Sequence, residues 1–200
     1  MNMLLNLDEA IFFAINSLPH NVVLNSLFLS LSFYPLIVWI LIGLIVMFIE
    51  GKKDRWFMVR LVLALILAGG LVSGMIKPLV KRPRPDITHG DKVIVVEEKP
   101  AAIPQHNDFA FPSGHAALAF AGAYIVMREE VESKHNKNQS KGQMRLMGKT
   151  FFIFAFLTAF SRMYLGKHYP LDVLVGGIMG WWMGKAAWKL VDFIKPKPAI

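Results

Sequence analysis

The chain has 200 residues, 54% of them hydrophobic, and a formal net charge of +8 at pH 7. It contains no cysteine, which excludes a disulfide framework and a thiolate metal site. A basic excess of this size would suggest nucleic acid as the partner of a soluble protein, but here the basic residues sit in short segments between long apolar blocks. Membrane topology accounts for them, and no nucleic acid is expected.

Along the chain, Leu4, Leu7, Ile11, Ile15 and Leu18 share one helical face, with Asn2, Asn6, Glu9 and Asn16 roughly opposite. This pattern predicts a helix lying along the membrane, within an N-terminal interfacial segment covering residues 1–33. The uncharged run from Val22 to Ile49 exceeds the roughly 20 residues of one perpendicular crossing and is broken by Pro35. The first crossing is therefore placed from about Tyr34 to Ile49.

A second span follows from Trp56 to Ile76. Arg60 is close enough to its start to snorkel to the interface, and Gly70 and Gly74 are spaced for close approach of another helix. Pro78, Pro83 and Pro85 end it in the basic segment Lys77 to Arg84. Residues 86–111 form a polar loop in which Val93 to Val96 is expected as a short strand or a lid. A third span runs from Ser113 to Met127, followed by a charged linker from Arg128 to Lys149 that is expected to be solvated.

The fourth span starts near Met144 or Thr150 and ends at Leu165; the fifth runs from Tyr169 to Leu190. In the fifth, Gly176, Gly180 and Gly184 read as a packing stripe, and Trp181, Trp182 and Trp188 as an interfacial aromatic belt. The fold class expected is all-α: an integral membrane helical bundle with about five to six transmembrane helices and an N-terminal interfacial helix, in a single domain over residues 1–200.

Basic residues orient the bundle. The link from Glu50 to Arg55, the 128–149 linker and the C-terminal tail lie on one side and carry twelve Lys and Arg, while residues 1–34 carry none. The rule that cationic loops stay inside places those twelve in the cytoplasm and the 86–111 loop outside. It also puts four helix ends on one outer rim, bearing Lys77 and Arg84, then Ser113, Gly114 and His115, then Arg162, then His168 and Asp172.

Ionisable groups at membrane depth are costly unless they pair or line a wet cavity, so this gathering predicts a site. Lys77, Arg84 and Arg162 would repel one another without a multiply charged anion between them, and a phosphate fits. The amides of Ser113 and Gly114 open a helix, where unsatisfied donors favour an anion, and the Ser113 hydroxyl adds a further hydrogen bond. Asp172 stands one turn beyond His168 and can hold one imidazole nitrogen, which leaves the other for attack on phosphorus. His115 is then the proton donor to the departing oxygen.

Two histidines and a carboxylate also make an iron or zinc set, which the three neighbouring cations oppose. Lys81 and Arg82, between the motif positions, either reach a second phosphate or are solvated; solvation is the expected state. His20, His89, His106 and His135 receive no task.

Lys77-x6-Arg84-Pro85, Pro112-Ser113-Gly114-His115 and Ser161-Arg162-x5-His168-x3-Asp172 together resemble the three-part signature of the type 2 phosphatidic acid phosphatase superfamily. All three parts are complete, in order and separated by apolar helices over residues 77–172. The resemblance implies that Lys77, Arg84, Ser113, Gly114 and Arg162 hold phosphate, that His168 is the nucleophile, His115 the acid and Asp172 the orienter, and that no metal or other cofactor is needed. The chain looks like the bacterial members that hydrolyse undecaprenyl diphosphate, phosphatidylglycerol phosphate, phosphatidate or lipid A 1-phosphate. That likeness implies a multi-pass protein of the bacterial cytoplasmic membrane, its site facing outward, with the bilayer and a lipid phosphate as partners. The alternative is an idle scaffold that keeps the anion pocket without turnover.

Overall fold

The computed structural model describes residues 2–32, 35–49, 55–96, 109–136 and 143–195. Helix α1 spans Asn2–Asn16, α2 Val22–Ser32, and α3 Pro35–Ile49, with Pro35 at its first position, where a missing amide costs nothing. Helix α4, Arg55–Leu71, passes through a π-helical turn, Val72–Ile76, into the short α5, Lys77–Val80. Helix α6, Pro85–His89, and a 3₁₀ turn, Gly90–Lys92, follow. Three long helices complete the chain: α7 Gly114–Asn136, α8 Gln143–Tyr164 and α9 Pro170–Ile194.

Helix α7 is the axis of the bundle, packed against α9, α8, α4 and α3. Its buried alanines, among them Ala116, Ala117, Ala121 and Ala123, let neighbouring backbones come close. A Cβ added at Gly176 would lie 2.4 Å from the Ser113 carbonyl oxygen, one at Gly180 2.0 Å from that of Ala117, and one at Gly184 2.9 Å from the Tyr124 Cβ. The stripe on α9 is therefore the seam with α7. Gly180→Ala should cost about 1–3 kcal/mol, because the obstacle is backbone. Thermal unfolding in detergent measures the loss, with Gly74→Ala as the contrast, since nothing stands within 4 Å of a Cβ there.

Four expectations change. Gly70 and Gly74 face open space, and the close approaches are at Gly43 against Leu61 and at Gly122 against the buried Trp39. Arg60 does not snorkel. It is 1% exposed, stacks 3.9 Å from the Trp188 ring centroid, and pairs with Glu129 and Asp192, because packing brings those carboxylates of α7 and α9 to the guanidinium. Glu129 and Trp188 accordingly leave the solvated linker and the aromatic belt for the core. Residues 93–96 form no strand; Val93 is buried and the Ile94 amide donates to Asn16 Oδ1 at 2.9 Å.

Among the described residues, the helical run Trp56–Lys92 is long and apolar enough to cross a bilayer, and α2 with Ile37–Ile45 qualifies if they form one bent span. Helices α7, α8 and α9 have 23, 22 and 25 residues, enough at about 1.5 Å per residue for a core of roughly 30 Å.

Candidate active site

The basic segment is shaped by its prolines. Lys77 begins α5, Lys81 takes a left-handed conformation at φ 52°, and Arg84 is extended because Pro85 follows it. The Arg82 carbonyl accepts the Ala110 amide at 2.8 Å, which ties this segment to the approach to α7. Ser113 then precedes the first turn of α7, fully buried, with its hydroxyl 3.5 Å from the Ala116 amide. Its own amide donates to the Asp172 carbonyl at 2.9 Å. Ser113 therefore joins α7 to α9 through its backbone, a correction to its place among the free helix-start donors.

The other half of the site is the tight connection from α8 to α9. Arg162, 2% exposed, donates to Ser32 of α2, and its carbonyl accepts the Lys167 and His168 amides at 3.0 and 3.2 Å. Gly166 permits the turn: its φ is +77°, and a Cβ would meet the Ile94 carbonyl oxygen at 2.7 Å. The chain thus folds back and carries His168 inward to 1% exposure.

Asp172 is fully buried in the first turn of α9. Its Oδ2 accepts the Tyr169 amide at 2.8 Å and lies 3.7 Å from His168 Nδ1, an ion-pair distance longer than a hydrogen bond. The spacing of four residues brings the pair together as expected, but the carboxylate is shared among more partners than sequence spacing suggests.

His115 stands in the first turn of α7, within electrostatic range of Arg162, His168, Lys77 and Arg84. Lys77 also acts on Asp172. Lys77, Arg84, His115, Arg162, His168 and Asp172, drawn from four separate stretches, therefore converge on one place, and Ser113 and Gly114 sit at the α7 terminus beside them. Among the described residues, no group of three or more His, Cys, Asp or Glu is arranged to hold a metal ion.

Two residues at this place went unassigned in the sequence reading. Arg82 is not solvated: Nη1 donates to Asp172 Oδ1 at 2.7 Å and Nη2 to Asp8 Oδ2 at 2.6 Å. Its guanidinium carbon lies 4.1 Å from the Tyr169 ring centroid. Lys81, by contrast, is exposed. Asp8, 3% exposed, reaches in from α1. A signal was present, since Asp8 falls at helical spacing inside the stripe of Leu4, Ile11 and Ile15.

Asn16 also turns inward, at 1% exposure, donating to the Ile94 and Tyr164 carbonyls at 2.8 and 3.0 Å. His20 closes the same corner, stacked on Tyr164 with Nε2 2.9 Å from the Asn16 carbonyl. His89 packs edge-on to Phe13; His106 lies outside the described residues.

Beside the site, a cavity of about 780 Å³ opens between α1, α7, α8 and α9. Leu7, Phe156, Met163, Leu174 and Trp181 are among its apolar walls, and Asp8 and Leu171 stand at the end nearest Asp172.

The family model described as the PAP2 superfamily matches residues 57–196. An undecaprenyl-diphosphatase BcrC of Bacillus subtilis is 27% identical over 95% of this chain and 87% of its own. A crystal structure of Aquifex aeolicus LpxE is 28% identical, with a TM-score of 0.67 over 92% of this chain and 95% of that one. The transmembrane PAP2-type phosphatidylglycerolphosphate phosphatase of Bacillus subtilis shares the fold, with a TM-score of 0.69 at 23% identity over 98% and 89% of the two chains. An all-helical membrane bundle, a family match that takes in all three motifs, and likeness to phosphatases acting on lipid phosphates lead to one assignment: the chain is a membrane lipid phosphatase and belongs to the PAP2 superfamily.

Proposed function

We propose that this phosphatase cleaves a phosphomonoester or diphosphate carried on a hydrocarbon chain, through a phosphohistidine at His168, on the extracytoplasmic side of a bacterial cytoplasmic membrane crossed about five times. The observation that carries the reading is the position of His115 within electrostatic range of His168 and of three cations. Lys77, Arg84 and Arg162 hold the non-bridging oxygens, helped by the Gly114 amide and the Ser113 hydroxyl, and stabilise the charge that spreads over them as the bond breaks.

Because Asp172 faces Nδ1, the reacting nitrogen of His168 is Nε2. Its lone pair attacks phosphorus in line, the bond from phosphorus to the lipid-side oxygen breaks, and His115 delivers a proton to that oxygen. Asp172 stabilises the positive charge that develops on the imidazole. In the second half, His115 takes a proton from water, the resulting hydroxide attacks phosphorus, and the P–N bond breaks to release phosphate and restore His168. The similarity to a relative named undecaprenyl-diphosphatase supports a diphosphate as one substrate of this site.

The apolar cavity supports a lipid substrate. From Leu171 to Trp182 it follows α9 for roughly 16 Å at 1.5 Å per residue, starting at the turn that holds Asp172. A single hydrocarbon chain fits that path. Alkyl phosphates of increasing length, assayed below their micellar concentrations, should show kcat/KM rising about threefold to fourfold per added methylene, from about 0.8 kcal/mol of transfer energy each, until the groove is filled. A flat series would place the chain outside the groove.

A further inference from the structure

Neither Arg82 nor Asp8 is a fixed position of the three motifs, yet together they determine how the Asp172 carboxylate is held. Asp172 has two oxygens with separate duties: Oδ2 accepts the Tyr169 amide and faces His168, while Oδ1 accepts Arg82 Nη1 at 2.7 Å. The opposite nitrogen of the same guanidinium is held by Asp8 at 2.6 Å, and the second oxygen of Asp8 accepts the Leu171 amide at 2.7 Å. Asp8, Arg82, Asp172 and the first turn of α9 thus form a closed ring. Stacking on Tyr169 and the bond from the Ala110 amide to the Arg82 carbonyl fix the plane of the guanidinium from two further directions.

Only a planar fork can span two carboxylates in this way, since an ammonium group lacks the second donor at a fixed distance. Without it, two buried carboxylates would face each other with their cation gone, and repulsion would act on an Asp172 side chain anchored, among the described residues, only through the Tyr169 amide. A carboxylate turned about its Cβ–Cγ bond no longer presents Oδ2 to the imidazole.

We propose that Arg82, locked in place by Asp8, is the positioning residue for Asp172 and through it for His168, so that docking of α1 onto the bundle is a condition for full turnover. This rests on the phosphohistidine reading above and adds a requirement for the N-terminal helix, which carries none of the motifs. It also assigns Arg82 away from the substrate: both of its terminal nitrogens are committed to carboxylates, not to a second phosphate.

The test uses the full chain purified in detergent, a short-chain phosphatidate as substrate, and four variants: Asp8→Asn, Arg82→Lys, Arg82→Ala and the double variant Asp8→Asn/Arg82→Ala. Thermal unfolding is followed alongside, and kcat is expressed per folded molecule. Arg82→Ala should lower kcat about 10²-fold, the scale of a misplaced catalytic group, with KM close to wild type. Arg82→Lys should recover only part of that loss. Asp8→Asn, nearly isosteric and so the variant that folds if the others fail, should lower kcat in the same sense, and the double variant should be no worse than Arg82→Ala alone.

A rise in KM at unchanged kcat would make Arg82 a substrate ligand and overturn the proposal. So would wild-type kcat in folded variants, which would leave the ring a purely structural tie, or losses that simply multiply in the double variant. The underlying phosphatase reading fails differently: wild-type protein would release no phosphate, or His168→Ala would release it normally, whatever Arg82 does.

Discussion

His168→Ala is expected to lower phosphate release by roughly 10⁴-fold to 10⁶-fold, the scale on which loss of a nucleophile is felt in other hydrolases. The anion site would survive, because Lys77, Arg84 and Arg162 come from segments that do not depend on the imidazole. KM for the lipid, or inhibition by free phosphate, should therefore change little while kcat collapses. His115→Ala should separate the two half-reactions: the phosphoenzyme forms slowly from an alkyl phosphate, where the departing alkoxide needs a proton, but nearly normally from an aryl phosphate with an acidic phenol, and then accumulates because the base for water is gone. Rapid quenching in base followed by mass spectrometry should find phosphate on His168 in the wild type. Turnover near wild type in His168→Ala would place the nucleophile elsewhere.

Arg60→Ala should cost about 3–5 kcal/mol of stability without harming the chemistry of the molecules that stay folded. The guanidinium is buried between Glu129, at 3.2 Å, and Asp192, over the face of Trp188. Its removal takes away the cation that the structure places against the 9%-exposed Glu129 and against Asp192. The cluster sits near the start of α4 and the ends of α7 and α9, whereas the site is built where α4 ends and where α7 and α9 begin. Unfolding temperature and kcat should therefore separate. Replacing all three charged groups with apolar residues of similar volume should recover most of the loss, since the cost lies in burying carboxylate charge with the guanidinium gone and not in any net strength of the pair. An unchanged unfolding temperature in Arg60→Ala would show that the cluster does not depend on the guanidinium.

Much of the layout of the candidate site was legible in the primary structure because it depends on local spacing. Asp172 had to lie one turn from His168, His115 had to open the third long apolar helix, and Pro85 had to extend Arg84; such relations are set by helix pitch and proline geometry. Apolar block lengths likewise gave α4, α8 and α9 with ends close to those observed, whereas α7 runs nine residues past the expected Met127 to Asn136, because charged residues can continue a helix beyond its apolar stretch. The glycine seam of α9 could be read from its repeat of four.

What only the tertiary structure decided is which polar groups meet across the bundle. Arg60 looked like a snorkelling cation and Arg82 like a solvated one, because a sequence window cannot show that Glu129 and Asp192, or Asp8 and Asp172, approach from helices distant in the chain. Gly70 and Gly74 had the spacing of a contact, but among the described residues nothing stands within 4 Å of a Cβ at either. Ser113 kept its place at a helix start but gave its amide to Asp172. Segment type and register followed from backbone geometry and hydropathy acting over a few residues; the pairing of buried charges followed from packing, where a charge removed from water takes the nearest opposite charge, whichever part of the chain supplies it.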